Sequence, residues 1–255
     1  MIGLRLPLRR GVERAGGEGR GVIGDPSKDL IESRREVNSL KSRVEELEEK
    51  VGDSVGDGSI VYRYTPRPHT VYINATNRCS NDCTFCVRYF RSGLSGSVLW
   101  LKDEPTADLL WEKLQGEIGS TDEGVVWCGF GEPTIRLDLV LSITRRIKEK
   151  YPSVRVRLDT DGQAQLRYRS RDVPRELRAA GVDVVSISLN AESEEKYNVM
   201  CKPTLPGAYH AVLKFAEECK KYFTTVRLSV VGGTQADISK CMKMAEELGC
   251  DFLMR

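Results

Sequence analysis

Val71–Cys86 reads VYINATNRCSNDCTFC: a run of β-forming residues, a short polar break, then cysteines at 79, 83 and 86. Val71–Ala75 is predicted as a strand, so the thiols fall in the loop that follows it. In α/β folds with parallel strands, the loops after the strands gather the active site. Working outward, five further strands are expected at Gly124–Cys128, Val154–Asp159, Asp183–Asn190, Thr225–Val231 and Asp251–Met254. Their near-continuous Val, Ile and Leu content suits strands buried on both faces. Ile60–Tyr64 precedes them and is expected to form a small hairpin with Thr70–Asn74 across a Pro-containing turn.

Helical spacing fills the intervals. Leu110, Leu114 and Ile118 follow Pro105, placed as a first-turn residue; Leu137, Val140, Thr144 and Ile147 mark a second helix. A shorter one spans Val173–Ala180 before Gly181. Ala208, Val212, Phe215, Cys219 and Tyr222 mark another, and Ile238, Cys241, Ala245 and Leu248 a last, closed by Gly249 at C′. Alternating strands and helices leave two architectures open, a doubly wound sheet and a barrel. Residues 70–255 give about 31 residues per unit, the pitch of an eight-unit barrel of about 250 residues. The expectation is therefore an α/β fold, a partial (β/α)6 TIM-type barrel over 59–255.

Before it, residues 1–28 are rich in Gly and Arg without periodicity and are expected to form a disordered leader. Residues 29–58 carry a narrow seam at Val37, Leu40, Val44, Leu47 and Val51, then a GDSVGDG linker. Such a coiled-coil-like helix serves either as a solvated helix or as a weak homodimer contact through residues 30–51. The 255 residues are 40% hydrophobic and 30% charged with net charge +2, which argues against a protein that lives on nucleic-acid phosphates. With no long apolar run and no signal-like start, the expected location is the cytoplasm, with no membrane partner.

Eight cysteines in a long chain of this kind do not suggest a disulfide framework. Three at spacings of four and three residues read as a metal site. Soft thiolates select an iron–sulfur cluster, zinc or copper(I). A structural zinc site wants four protein ligands, and the chain adds only His69 and His210. Three cysteines suit a four-iron cubane with one iron open. Cys128, Cys201, Cys219, Cys241 and Cys250 are read as small buried apolar side chains.

The Cys-x3-Cys-x2-Cys loop after a strand, with Phe85 before the third cysteine, resembles the radical S-adenosylmethionine (radical SAM) superfamily. NATNRCSNDCTFCVR, CGFGEPTIR and SISLNA together are similar to its TatD-associated subgroup, over residues 60–255. The resemblance implies that Cys79, Cys83 and Cys86 hold a [4Fe–4S] cluster whose fourth iron is chelated by the amino and carboxylate groups of SAM. It implies that Phe85 packs near adenine and that Gly131 and Glu132, in FGEP where the superfamily has Gly-Gly-Glu-Pro, hold the methionine amino group. Phe130 replaces the first glycine of that motif. Thr160 and Asp161 would lie near the ribose, with Asp161 where relatives carry Asn. Ser188 and Asn190, in line with Ser186 on one face of a strand, would contact ribose or carboxylate, and Val230–Val231 the adenine.

The implied activity is reductive cleavage of SAM to methionine and a 5′-deoxyadenosyl radical, which abstracts hydrogen from an unidentified substrate, small or macromolecular. It requires a low-potential donor of flavodoxin or ferredoxin type, and the cluster would be oxygen-sensitive. The catalytic residues beyond the cofactor site are not assigned, and no further domain for auxiliary clusters is expected. Two alternatives stay open: an activase that makes a radical on a partner protein, and a non-catalytic zinc-stabilised interaction module. Arg78 and Arg88 bracket the loop, either stabilising a cluster and docking a donor or as ordinary surface charge. Cys201 and Lys202 are expected in a loop facing the substrate.

Overall fold

The computed structural model describes residues 58–255. The leader expected at 1–28, and the seamed helix with its homodimer contact at 30–51, lie outside the described residues. The first two strands, β1 (Val61–Tyr64) and β2 (Arg67–Ile73), form the expected antiparallel hairpin, with Tyr62 opposite Tyr72 and a bulge between Arg63 and Tyr64. A two-stranded ribbon of β3 (Gly93–Leu94) and β4 (Ser97–Val98) follows. It was not legible in sequence, because two-residue strands carry no periodicity.

The remaining strands are β5 (Gly124–Trp127), β6 (Arg155–Thr160), β7 (Val184–Ser188), β8 (Thr225–Val230) and β9 (Asp251–Met254). The sheet runs β1-β2-β5-β6-β7-β8-β9, parallel throughout except for the β1–β2 pair. This order decides between the two architectures. A doubly wound sheet reverses its strand order at a switch point. Here each parallel strand is laid beside the last, so right-handed crossovers put every connecting helix on one side. The result is a partial six-stranded barrel. Among the described residues β9 pairs only with β8, and the sheet does not close.

The connections are α1 (Ala107–Glu117), α2 (Leu137–Lys150), α3 (Ala164–Arg167), α4 (Val173–Ala180), α5 (Glu194–Cys201), α6 (Ala208–Lys220) and α7 (Ile238–Glu247). Alternation along each strand separates two cores. Val71, Ile73, Val125, Trp127, Val156, Leu158, Val185 and Ile187 face the helices, in one cluster with their buried stripes. Tyr62, Tyr72, Val126 and Phe130 face inward and meet Leu99.

Caps fix the helix starts. Thr106, Asp172 and Asp237 each accept a backbone N–H three residues on, at 3.1–3.2 Å. Pro105 therefore precedes the cap of α1 instead of opening its first turn. Gly181 ends α4 at φ +104°, a conformation that disfavours a side chain.

Two expectations are corrected. Residues 194–201 form a helix, so Cys201 is its last residue, fully buried, and not a loop residue; Lys202 is the left-handed cap that opens the loop after it. EEKYNVMC is short and mostly polar, and its buried set, Tyr197, Met200 and Cys201, is too small to stand out as a stripe. Asn190 lies beyond the end of β7 at φ +58°, so it does not continue the alternation of Ser186 and Ser188.

One polar contact in the outer core sets a stability prediction. The indole N–H of Trp127 donates to Thr144 Oγ1 at 3.0 Å, both residues fully buried. Thr144→Val keeps the shape and strands the donor, so it should cost about 1–3 kcal/mol. The check is a lower denaturation midpoint at an unchanged m value.

Candidate functional site

The loop after β2 is pinned on both flanks. Asn77 exchanges two hydrogen bonds with the backbone of Leu101, at 2.7 and 3.1 Å. Arg78 makes a bidentate pair with Glu104 at 2.7 and 2.8 Å, and Thr76 donates to the same carboxylate. Arg88 folds over the loop and donates to the carbonyls of Asn77 (3.2 Å) and Asn81 (3.4 Å). Both arginines thus shape the loop.

On its far side the loop is stitched to residues 200–204. Asp82 N donates to Cys201 O and Thr84 N to Met200 O, both at 2.9 Å, and Thr204 N to Ser80 O at 2.8 Å. Behind it, Asn81 Nδ2 donates to Tyr197 Oη at 3.1 Å, and Gln163 Nε2 donates to Asn81 Oδ1 at 2.7 Å and to Tyr197 Oη at 3.1 Å. This buried triangle holds the middle of the cysteine loop in place. Sequence reading missed it, and missed Cys201 beside Cys83, because the partners are 34 to 118 residues apart and no local pattern links them.

All three loop cysteines are free thiols, neither fully buried nor fully exposed. Burial pushes Cys79 up to about 12, aided by the Asp161 and Glu132 carboxylates and opposed by the Asn81 N–H. Cys83 is pushed up by its contact with the Cys201 thiol and by burial, and Cys86 by burial against the pull of Arg88. Ligation needs thiolates, so loading a metal here releases protons.

The loops after β5 and β6 meet this one. A Cβ on Gly131 would lie 2.3 Å from Thr76 O and 2.4 Å from Arg78 O, so only glycine lets the two backbones touch. Phe130 puts its ring in the inner core, 5.3 Å from that of Trp100. The bulk at this motif position therefore points away from the loop contact.

Glu132 is 4% exposed and its carboxylate is heavily used. Oε1 accepts from Thr134 N (2.9 Å), Thr134 Oγ1 (2.6 Å) and Thr160 Oγ1 (2.8 Å), and Oε2 from Asp161 N (2.6 Å). It caps the turn at Pro133–Arg136 and bolts the end of β5 to that of β6. Asp161 is different. Its Oδ1 accepts from Gln163 N at 2.9 Å, while Oδ2 is buried with no hydrogen-bond partner among the described residues. Burial and the neighbouring Glu132 push this carboxyl up to about 8, and Glu132 is itself pushed up, chiefly by burial.

Cys79, Gly131, Glu132, Thr160 and Asp161 are thus brought together at the C-terminal end of the strands. Phe85 lines a groove with Met200 and with Gly233 and Thr234, in the loop just after Val230–Val231. Ser188 and Asn190 stand at the end of β7, and no side-chain hydrogen bond ties either to the carboxylate pair among the described residues.

A family model of the Radical SAM superfamily matches residues 73–248. The chain belongs to the radical SAM superfamily. Membership implies SAM and an iron–sulfur cluster, which agrees with three soft thiols on one loop beside an unpaired buried carboxylate oxygen. The radical SAM relatives it matches are enzymes. It is 30% identical over 124 residues to aminodeoxyfutalosine synthase of Thermus thermophilus, covering 46% of this chain and 32% of that one. It is 31% identical over 166 residues to a probable GTP 3′,8-cyclase of Pyrococcus abyssi, covering 65% and 48%. The chain thus spans less than half the length of these curated relatives. Among solved radical SAM folds, SuiB of Streptococcus suis bound to the precursor peptide SuiA superposes at TM-score 0.54 and 15% identity, covering 94% of this chain and 47% of that one. Among the described residues no helix is long and apolar enough to cross a membrane.

Proposed function

We propose that residues 59–255 form a radical SAM catalytic domain in which Cys79, Cys83 and Cys86 hold a [4Fe–4S] cluster and leave one iron for the amino and carboxylate groups of SAM. The observation that carries this reading is the meeting, at one end of the barrel, of the three-thiol loop with the Glu132–Asp161 pair. A cluster held by these cysteines would supply the electron for reductive cleavage of SAM to methionine and a 5′-deoxyadenosyl radical, the species that would take hydrogen from substrate.

The chain's own residues do the positioning. Gly131 lets the β5 loop lie against the cysteine loop, and Glu132 fixes the β6 end, where Asp161 Oδ2 would accept from a cationic or hydroxyl donor of SAM. Thr160 is held by its bond to Glu132. Ser188 and Asn190 offer polar contacts to the ribose or carboxylate, and Phe85 an apolar face to the adenine. The inner core of Tyr72, Leu99 and Phe130 keeps water from that side of the lumen. The cluster would draw its electron from a low-potential reductant, of flavodoxin or ferredoxin type.

Oxygen-free reconstitution of the full chain with iron and sulfide tests this. The expected product is a brown protein that, with dithionite and SAM, releases methionine and 5′-deoxyadenosine. Zinc alone without visible absorption, or a loaded cluster that leaves SAM intact, would end the reading.

A further inference from the structure

The inner face of the barrel is built from two unlike walls. Register partners in a parallel ladder share a face. Arg157 pairs with Val126 and Val184, Asp159 with Ser186, and Ser186 with Arg227. Their neighbours along the same strands, Val156, Leu158, Val185, Ile187, Val226 and Leu228, all lie in the helix-side core. Arg157, Asp159, Ser186 and Arg227 therefore point into the lumen. Arg255 joins them: its Nη2 donates to Ser186 Oγ at 2.9 Å and lies 3.2 Å from Asp159 Oδ2.

Asp159 is the carboxylate shared by two of these guanidinium groups, since Arg157 Nε lies 2.9 Å from its Oδ1. Arg227 has no ion-pair or hydrogen-bond partner among the described residues, and its ladder neighbour Asp251 is exposed. Two guanidinium groups thus share one buried carboxylate, and a third, Arg227, stands on the same face of the sheet between Ser186 and the exposed Asp251. Each is partly withdrawn from water, with the Arg157 side chain 22% exposed and that of Arg255 32%. A partly desolvated excess of positive charge is costly unless an anion joins it, and guanidinium forks suit phosphate or carboxylate. The other wall, around Tyr72, Leu99, Val126 and Phe130, is apolar.

We infer that the lumen binds the anionic group, phosphate or carboxylate, of the enzyme's substrate at Arg157, Arg227 and Arg255, with the uncharged part of that substrate against the apolar wall. The assignment of this anion to a substrate rests on the radical SAM reading, which places the reacting centre at the same barrel's mouth; the anion site itself does not.

The test is calorimetric titration of the full-length reconstituted protein, with SAM in excess so that the SAM carboxylate site is already filled. Inorganic pyrophosphate and succinate are the two probes. One of them should bind once per chain, with affinity that weakens as salt is added; the one that binds assigns phosphate or carboxylate. Arg227→Gln should weaken it by about tenfold or more, as loss of a charge-assisted bond does, and Arg227→Lys, which keeps charge without the fork, by less. Should Arg227→Gln fail to fold, Arg227→Lys decides alone, with a severalfold loss expected. Wild-type protein that binds neither probe, or folded variants that bind as tightly as wild type, would overturn the inference. Deoxyadenosine release by wild type without either probe reports on the radical SAM reading alone. Anion binding without release leaves the lumen site standing, whereas release without anion binding removes it.

Discussion

Cys83→Ala should reduce deoxyadenosine release under dithionite by roughly a thousandfold or more, because losing the site that holds SAM beside its reductant forfeits effective molarities of about 10⁵ M and above. Cys83 sits at the middle of the loop, between the backbone bonds of Asp82 and Thr84 to residues 200–201. Those bonds do not involve its side chain, so the loop should keep its place in the variant. Far-UV circular dichroism and the melting point of the metal-free protein should therefore stay near wild type while the iron content after reconstitution drops. Cys250→Ala is the matched control. Cys250 is half-buried just before β9, at the opposite end of the strands from the cysteine loop, and among the described residues its thiol hydrogen-bonds only to Leu248 O, at 3.7 Å. That variant should load iron and cleave SAM as wild type does. Equal activity of Cys83→Ala and wild type would remove the cluster site from residues 79–86.

The metal-free protein should lose stability as pH rises from about 5 to 8, and Asp161→Asn should largely flatten that slope. Asp161 titrates near 3.8 when unperturbed and is pushed up to about 8 in the fold, by burial and by Glu132. Between those values the folded state holds a proton that the unfolded chain has released. Its contribution is complete below about 4 and is lost as pH climbs through about 8, with a limiting slope of about 1.4 kcal/mol per pH unit for one proton. Glu132 is shifted in the same direction and adds to the effect. Carboxylates held low by arginine or lysine, such as Asp122, Glu176 and Glu192, change charge only below this window. The thiols pushed up to about 12, Cys79 and Cys128, lie above it. Urea midpoints across the range, wild type against Asp161→Asn, measure the difference. Parallel curves for the two proteins would mean that the buried pair is ionised in the empty site.

The same pair explains how far the site could be read in advance. FGEP and TDG stand at the ends of their strands as expected, and the two loops do meet. What the motifs did not carry is the division of labour between them. Glu132 is committed to four bonds within the protein, and the oxygen without a partner belongs to Asp161. That depends on how β5 and β6 are staggered, a property of the sheet and not of either segment. Phe130 is a similar case. It stands where the family has its first glycine, yet its ring turns into the lumen and Gly131 makes the close approach.

Sequence by itself determined the six parallel strands, four of the longer helices with their periodic apolar stripes, the short helix before Gly181, and the loop that carries Cys79, Cys83 and Cys86. These rest on alternation, helical period, caps and glycines, all written within about a dozen neighbouring residues. The length of each unit already pointed to the barrel, and tertiary structure alone fixed the strand order that excludes the doubly wound sheet, since pairing is a choice that no strand encodes separately. It alone set Cys201 beside Cys83, closed the Asn81–Gln163–Tyr197 triangle and turned Arg157, Arg227 and Arg255 into one lumen. Contacts between residues many tens of positions apart arise from register and crossover handedness, which act only once the whole sheet has formed.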